Sequence, residues 1–507
     1  MSADDVSDEP RPWPVIAVWI VVVALILSYL VIFGLSAAAR IALPVEFMYG
    51  ESIVLDLTRR VARGETLYPA PDHLPLAVTA YTPLYYLLVG ELQRLFGDGY
   101  LPGRIASLLS ALGSALVVVY GVRQAGGRWF GGLLAGGLFL TQNMTVLLWG
   151  PLHRVDLLAL CLAVGGLALA ARGRTQAAIL PLLLALLTKQ TYLIAPVAVC
   201  VALYPDWRAA LRFAGLFGAS LAGAILAAHL LTGGWFLWHT VIANANPFDA
   251  DNLLAMLAAF LHFNGVPLLA AAGLFSLPAR PGERVWRLYF LGTVLTIPGF
   301  GKVGASSNYW LEITAAIAIL IGILAGRLAA RPRVRAAITE YGLALLVAGS
   351  LLVPIPGYRA VAREALSLPP AGAVAGVRSQ LALAPVVAAE RGEVLTDEPA
   401  LAVGAGQRVE YEFVIFDLLA GQGLWDERPI LEAVAARRFG LVILTIPLEA
   451  QPDQARWSPA LTAALKASYV PAGYQDSYWL YRPASIGDNG QTDGSPPRES
   501  AASLPAP

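Results

Sequence analysis

The chain has 507 residues, of which 57% are apolar and 14% are charged. Soluble globular proteins average roughly 45–50% apolar and about 25% charged residues. Because a water-soluble fold of this size needs polar surface, the apolar excess excludes an ordinary soluble enzyme. Two cysteines are too few for a disulfide scaffold, and 35 basic against 35 acidic residues give no reason to expect nucleic acid as a partner. The remaining class is a polytopic α-helical membrane protein.

Apolar runs of the length that a transmembrane helix needs, about 20 residues, recur up to residue 355. The first, 15–39, contains no charge and follows an acidic, Pro-rich stretch. A retained span is therefore predicted there, with residues 1–14 as a cytoplasmic tail. Ten further spans are predicted, several of them short, at 104–122, 129–148, 155–171, 176–188, 190–204, 209–231, 252–277, 285–300, 309–326 and 336–355.

The distribution of basic residues orients these eleven spans. If the N-terminus is cytoplasmic and the segment 81–96 does not cross, the inner loops hold thirteen basic residues and the short outer loops three. Basic residues favour the cytoplasmic side of a membrane. We therefore interpret 81–96 as an interfacial or re-entrant helix. The first outer loop, 40–103, and everything after residue 356 are expected outside the cell membrane.

Polar residues that are unusual in a membrane protein collect at the outer ends of the predicted spans and in the first outer loop. Each alone is explained by snorkelling or by an ion pair between spans, whereas several clusters on one face indicate a functional cavity. Carboxylates beside fixed cations suit a phosphate-linked lipid, since cations hold the phosphate and a carboxylate accepts a proton from an attacking hydroxyl. The residues are Glu46, Glu51, Arg59, Arg60, Arg104, Arg154, Asp156, Lys189, Gln190, Asn308, Tyr309 and Glu312.

Other classes of protein fit the sequence less well. There is no GxxxxGK[ST] phosphate loop, no HExxH or CxxC metal motif and no GxSxG nucleophile elbow. A transporter or lipid flippase would also have many spans and intramembrane charges. Transporters often contain two repeated inverted halves, whereas this chain shows none and gathers its charges at one face. A polysaccharide ligase or polymerase would have its large polar outer loop late in the chain, and here that loop comes first.

The run PVEFMYGESIVLDLTRRVARGETLYPAP, followed by AYTPLYYLL, resembles the first outer loop of glycosyltransferase family 39 and its bacterial relatives, which have the GT-C fold. The likeness continues in order through PGRIASLLSAL, RVD, KQ and NYWLE and covers roughly residues 15–355. Protein O-mannosyltransferases and lipid A aminoarabinose transferases are distant relatives. The family commonly has Asp-Glu where this chain has Gly50-Glu51, so either Glu51 or Glu46 remains as the candidate base.

The resemblance implies an inverting transfer of a sugar from a polyprenyl-phosphate donor to a lipid, glycan or protein acceptor on the outer side of the membrane. It implies that Glu51 or Glu46 activates the acceptor hydroxyl. The donor phosphate would be contacted by Arg104, Arg154, Lys189 and Gln190. The wall of the cavity would include Arg59, Arg60, Tyr81, Tyr85, Asp156, Asn308, Tyr309 and Glu312. This fold class includes enzymes with and without a divalent metal, so the metal is left open and no other cofactor is expected.

After about residue 356 the composition changes. Strand-like runs alternate with a helical pattern and predict a small extracytoplasmic α/β domain within 356–482: EVLTD, RVEYEFVIF, PILEAVAARRF, GLVILTIP and YWLYRP. Most of its aromatic residues are expected to pack in a core rather than to dock a glycan: Trp425, Trp457, Tyr474, Tyr478 and Trp479. Residues 483–507 are rich in Pro, Ser and Gly and are predicted to be disordered.

Overall fold

The structure is a computed structural model that describes residues 12–330, 334–367, 375–450 and 457–485. Most of the predicted tails, 1–14 and 483–507, lie outside these ranges. Up to residue 330 the described chain is helical and contains α1 (Trp13–Ile41), α2 (Glu51–Ala62), α3 (Leu84–Phe96), α4 (Leu101–Gln124), α5 (Trp129–Thr141), α6 (Thr145–Trp149), α7 (Asp156–Ala171), α8 (Thr175–Thr188), α9 (Ile194–Ala202), α10 (Trp207–Leu231), α11 (Trp235–Leu237), α12 (Ala250–Ala272), α13 (Arg284–Leu295) and α14 (Leu311–Leu328).

Short irregular helices extend some of these elements. A π-helical turn, Trp238–Ile242, continues α11. Turns of 3₁₀-helix follow α12 and α13 and precede α14, at Gly273–Ser276, Ile297–Gly301 and Ser307–Trp310. The next helices are α15 (Val334–Leu352), α16 (Ile355–Ser367) and α17 (Ala375–Ala389).

Among the described residues, five helices are long and apolar enough to cross a membrane: Trp13–Ile41, Leu101–Gln124, Trp207–Leu231, Ala250–Ser276 and Ser307–Leu328. The α15–α16 pair, bent by 47°, makes a sixth if it is one span, and α5, α7 and α8 are shorter apolar helices. The protein is therefore a polytopic helical membrane protein. The structure divides the predicted span 129–148 into α5 and α6, and 190–204 contains only the nine-residue α9. The count of eleven spans stays a prediction.

Helix α14 lies at the centre of the bundle, because all of its residues except Glu312 are buried. A helix that is apolar on every side is expected in such a position. Its contact with α5 depends on glycine, since a Cβ at Gly322 would lie 2.4 Å from the carbonyl oxygen of Gly131. The two backbones therefore touch, and this fixes α14 against α5.

The segment between α1 and α4 forms a compact layer at one end of the bundle. Helix α2 is buried along nearly its whole length and packs against α3. Helix α3 occupies most of the segment 81–96, which the charge count predicts not to span. The layer also contacts the C-terminal part of the chain through α18 (Pro399–Gly404). The first loop is therefore held between the membrane helices and the C-terminal part.

The C-terminal part contains a four-stranded sheet in the order β1-β2-β4-β3. Strands β1 and β2 are parallel and the other two pairs are antiparallel. Besides α18, its elements are β1 (Glu393–Thr396), α19 (Phe413–Gly421), α20 (Arg428–Ala435), β2 (Phe439–Leu444), α21 (Pro459–Ser468), β3 (Tyr469–Gln475) and β4 (Tyr478–Pro483).

One predicted strand of this part is wrong. The run RVEYEFVIF, residues 408–416, forms a short bridge at Tyr411 and then enters α19. Phe413, Phe416 and Leu419 recur at a helical spacing and are buried on one face of that helix. Trp425 and Trp457 pack around this face, and Trp457 is 6% exposed, so these aromatic rings serve the core. Tyr474 is an exception, because its side chain is exposed against Trp479.

Candidate active site

Glu51 and Arg104 form a closed ion pair where the first loop meets the bundle. Arg104 Nε and Nη2 lie 2.7 and 2.9 Å from the two carboxylate oxygens of Glu51. The remaining donors of the guanidinium are taken by the backbone carbonyls of Arg40, Leu43 and Val45. Both side chains are 0% exposed. This pair ties the start of α2 and the first loop to the start of α4.

The carboxylate of Glu51 is fully engaged as well. Besides Arg104, it accepts hydrogen bonds from the backbone N–H groups of Phe47, at 3.2 Å, and His153, at 2.8 Å. Neither Glu51 nor Arg104 lines the cavities described below. In this structure every donor of Arg104 and both carboxylate oxygens of Glu51 are engaged within the protein, so the roles predicted for them at a donor phosphate and as a base stay predictions.

Asp156, the first residue of α7, gathers three of the predicted residues. Lys189 Nζ, at the end of α8, lies 2.5 Å from Asp156 Oδ1, and Asn308 Nδ2 donates to the same oxygen at 2.9 Å. Arg154 Nε lies 3.8 Å from Asp156 Oδ2. Asp156 is 0% exposed, so the carboxylate is a buried counter-ion that fixes the ends of several helices.

A cavity of about 280 Å³ opens beside this cluster. Two cations line it, Arg154 and Lys302. Lys302 Nζ donates to Asn244 Oδ1 at 2.8 Å, and Arg154 Nη1 donates to the carbonyl of Tyr49 at 3.3 Å. The neutral polar residues of the lining are Tyr49, Tyr81, Tyr86, Asn244, Asn246, Ser306, Asn308 and Tyr309. We call this space the cationic cavity.

Gly50 makes the position of Arg154 sterically allowed. Its φ of +88° lies in the left-handed region, where glycine is favoured. A Cβ at this position would lie 2.4 Å from Arg154 Nη1. The glycine at position 50 therefore leaves the space that the guanidinium occupies beside the cationic cavity.

Several predicted residues lie behind the wall of the cationic cavity rather than on it. Lys189 Nζ lies 5.4 Å from the ring centres of both Tyr81 and Tyr309, which line the cavity. Gln190 donates to the carbonyls of Ala80 and Thr240. In this structure Lys189 and Gln190 support neighbouring wall residues, and their predicted contact with a phosphate stays a prediction.

Four further predicted wall residues are also engaged elsewhere. Arg59 pairs with Asp98 at 2.7 Å, and Arg60 pairs with Asp56 at 3.1 Å. Tyr85 donates to the carbonyl of Gly103, and Tyr289 donates to Glu312 at 3.1 Å. None of the four predicted residues, Arg59, Arg60, Tyr85 and Glu312, lines the cationic cavity. Their polar groups stabilise the surrounding packing.

Glu46 lies on the wall of a second cavity of about 310 Å³, which we call the acidic cavity. Its Oε2 accepts a hydrogen bond from the backbone of Ser52 at 2.9 Å. The backbone N–H of Glu46 donates to Gln380 Oε1 at 2.8 Å, and Gln380 Nε2 donates to the backbone carbonyl of Glu46 at 3.0 Å. Burial, with smaller contributions from Glu51 and Glu398, raises the pKa of Glu46 to about 8. Glu46 is therefore mostly protonated at neutral pH.

The two cavities are neighbours, because Met48 and Tyr49 line both of them. Sequence reasoning missed several residues of the cationic cavity. Lys302 is the second residue of the run GKVGASSNYWLE, residues 301–312, and its closeness to Asn308 and Tyr309 in that run is the signal that the sequence offers. Asn244 and Glu412 carried no local signal, since they come from segments far apart in the chain. Among the described residues, no group of three or more His, Cys, Asp or Glu side chains is placed to hold a metal ion.

The fold is that of ArnT, which confirms the GT-C fold expected from the order of motifs in the sequence. The crystal structure of ArnT from Cupriavidus metallidurans bound to undecaprenyl phosphate aligns with a TM-score of 0.59 and 13% identity, over 92% of this chain and 98% of that one. Its apo form gives a TM-score of 0.57 and 14% identity, over 91% of this chain and 97% of that one.

A third structure, an oligosaccharyltransferase from Archaeoglobus fulgidus in complex with zinc and sulfate, gives a TM-score of 0.47 and 12% identity, over 87% of this chain and 71% of that one. No protein-family model matches the sequence, and no curated protein matches it. At these identities the likeness to ArnT establishes the fold.

Proposed function

We propose that this protein is an inverting glycosyltransferase that moves a sugar from a polyprenyl-phosphate donor to an acceptor hydroxyl. The observation that carries the proposal is a cavity lined by two cations in a fold shared with ArnT, which was crystallised with undecaprenyl phosphate bound. A lipid phosphate supplies the negative charge that such a cavity is suited to hold.

Arg154 and Lys302 are the residues proposed to bind the donor phosphate. Among the described residues, Arg154 donates one hydrogen bond, and Lys302 donates one hydrogen bond to a neutral amide. Each cation therefore has donor capacity left for phosphate oxygens. Lys189 and Asp156 lie behind them and fix Arg154 and Asn308 on the wall.

Glu46 is the better of the two predicted bases, since it lines a cavity and Glu51 does not. In the proposed reaction, the acceptor oxygen attacks the anomeric carbon while the ionised form of Glu46 takes the hydroxyl proton. The bond between that carbon and the phosphate oxygen breaks, and polyprenyl phosphate leaves with its charge neutralised by Arg154 and Lys302. A single displacement of this kind inverts the anomeric configuration.

The proposal is tested with purified protein in lipid nanodiscs and a panel of polyprenyl-phosphate hexoses and pentoses. We expect release of polyprenyl phosphate from at least one donor when a membrane glycolipid extract supplies acceptors. If the protein instead moves intact donor across a vesicle membrane and releases no polyprenyl phosphate, it is a flippase and the proposal is wrong.

Arg154→Gln and Lys302→Gln should each weaken donor binding. A lost hydrogen bond to a charged group costs roughly 1.5–3 kcal/mol, which corresponds to about 10- to 150-fold in affinity. The measurement is the dissociation constant for undecaprenyl phosphate by titration in nanodiscs. Arg63→Gln is the control, because Arg63 pairs with Glu65 in the same loop away from the cavity. Unchanged affinity in both cavity variants would remove these cations from the site.

We also propose that the site faces the outside of the cell membrane, with the N-terminus in the cytoplasm. The thirteen-to-three distribution of basic residues supports this orientation. In a background with Cys161 and Cys200 replaced by Ala, Asp98→Cys should react with an impermeant thiol reagent in intact cells. Arg174 lies between α7 and α8, at the end of α7 away from Asp156. Arg174→Cys should therefore react only after the membrane is permeabilised. The reverse pattern would invert the topology.

A further inference from the structure

The C-terminal part of the chain reaches the cationic cavity through a short paired segment. The backbone N–H of Leu76 donates to the carbonyl of Glu410, and the N–H of Glu412 donates to the carbonyl of Leu76, both at 2.8 Å. These bonds form a parallel bridge between Leu76 and Tyr411. The bridge fixes residues 410–412 against the first loop, directly beside the cavity wall at Val78.

Glu412 projects from this segment onto the wall of the cationic cavity. Its Oε2 accepts a hydrogen bond from the backbone N–H of Val78 at 2.8 Å. Among the described residues, no hydrogen bond is made to Oε1, although the side chain is only 4% exposed. Glu412 is also the one carboxyl group among the described residues that line this cavity. The cavity therefore holds two cations, one carboxyl and otherwise uncharged groups.

The carboxyl of Glu412 is mostly uncharged at neutral pH. Burial raises its pKa to about 8, against smaller opposing contributions from the Val78 hydrogen bond and from Arg60. A protonated carboxyl both donates and accepts a hydrogen bond, as a sugar hydroxyl does. The amide and hydroxyl groups of the wall, at Asn244, Asn246 and Ser306, have the same character.

We propose that Glu412 is a specificity-determining residue that hydrogen-bonds the hydroxyl groups of the transferred sugar, and that this sugar is neutral rather than amino-substituted. The inference rests on the proposed function. The sugar is covalently attached to the donor phosphate, so it lies in the same cavity once Arg154 and Lys302 hold that phosphate. The carboxyl of Glu412 then binds the sugar of the donor, whereas the two cations bind its phosphate.

Two substitutions test the proposal with the polyprenyl-phosphate donor that the wild type turns over. Glu412→Leu removes the hydrogen bonds and should raise the KM for the donor about 10- to 100-fold. Glu412→Gln keeps a neutral donor and acceptor, so its KM should stay within about threefold of the wild type. Glu410→Leu is the matched control, because Glu410 lies on the same segment and does not line the cavity. Thermal unfolding of each variant verifies its fold.

Binding of undecaprenyl phosphate, which has no sugar, separates this inference from the proposed function. Both Glu412 variants should bind it as the wild type does. If Glu412→Gln loses as much activity as Glu412→Leu, or if only a donor with an amino sugar is turned over, the site needs an ionised carboxylate and the proposal is overturned. If the Glu412 variants lose undecaprenyl phosphate binding by as much as their KM for the donor rises, the proposal is overturned as well. A wild type that releases no polyprenyl phosphate from any donor would instead refute the proposed function.

Discussion

Glu51→Gln should lower the free energy of unfolding by about 3–5 kcal/mol, the cost of leaving one charge of a buried ion pair without its partner. The substitution keeps the shape of the side chain but leaves the Arg104 guanidinium, which is 0% exposed, without its counter-ion. Three backbone carbonyls still accept from Arg104, but they carry no net charge to balance it. The measurement is reversible denaturant unfolding in detergent micelles.

An exposed ion pair in the same layer provides the control for this prediction. Asp98 pairs with Arg59 at 2.7 Å, and its side chain is 62% exposed. Surface pairs contribute less than about 1 kcal/mol, so Asp98→Asn should unfold at nearly the wild-type denaturant concentration. A Glu51→Gln protein of wild-type stability that has lost turnover would show that Glu51 is a functional carboxylate and not a structural one.

The pairing of Glu51 with Arg104 also shows what the sequence does not reveal. Residues 99–109, around Arg104, contain no acidic residue, so nothing near it in the chain indicates that it forms an ion pair. Its partner is 53 residues away, on another helix. Separation along the chain carries no information on which buried charges meet, because the fold that brings the start of α2 beside the start of α4 decides it.

The class of fold could be predicted from the sequence because it depends on composition and on the order of apolar runs. Apolar helices of sufficient length predicted a polytopic membrane protein, and the order of motifs predicted the GT-C fold. The secondary structure of the segment 408–416 could not be predicted in this way. Its alternation suits a strand, but the spacing of Phe413 and Phe416 lets α19 bury one apolar face, and tertiary packing selects the helix.

Part of the candidate site could be predicted from polar residues that lie at the ends of the predicted spans. Arg154, Lys189 and Asn308 each lie at the same end of a predicted span, and the structure brings all three to Asp156. Which of them faces a cavity depends on side-chain direction and on loops that fold over the bundle. Glu412 illustrates this, since a bridge to Leu76 brings it to the cavity from the C-terminal part of the chain.

Glu46→Gln should reduce kcat by about 10²- to 10⁴-fold, the usual contribution of a general base. The amide preserves the size of the side chain and keeps an oxygen for the Ser52 hydrogen bond, but it cannot take the proton of the acceptor hydroxyl. Donor binding and thermal unfolding should remain close to those of the wild type, because Arg154 and Lys302 are untouched. Turnover is measured at saturating donor and acceptor.

The pH dependence gives this prediction an independent readout. A base works in its ionised form, and the pKa of Glu46 is raised to about 8, so kcat should increase with pH and level off above about 8. The negative charge of Glu398 contributes to the raised pKa of Glu46. Glu398→Gln should therefore shift the increase of kcat to lower pH without abolishing turnover. A kcat that is independent of pH between about 6 and 9, together with an active Glu46→Gln variant, would exclude Glu46 as the base. In that case the proton must leave through another group on the wall of the two cavities.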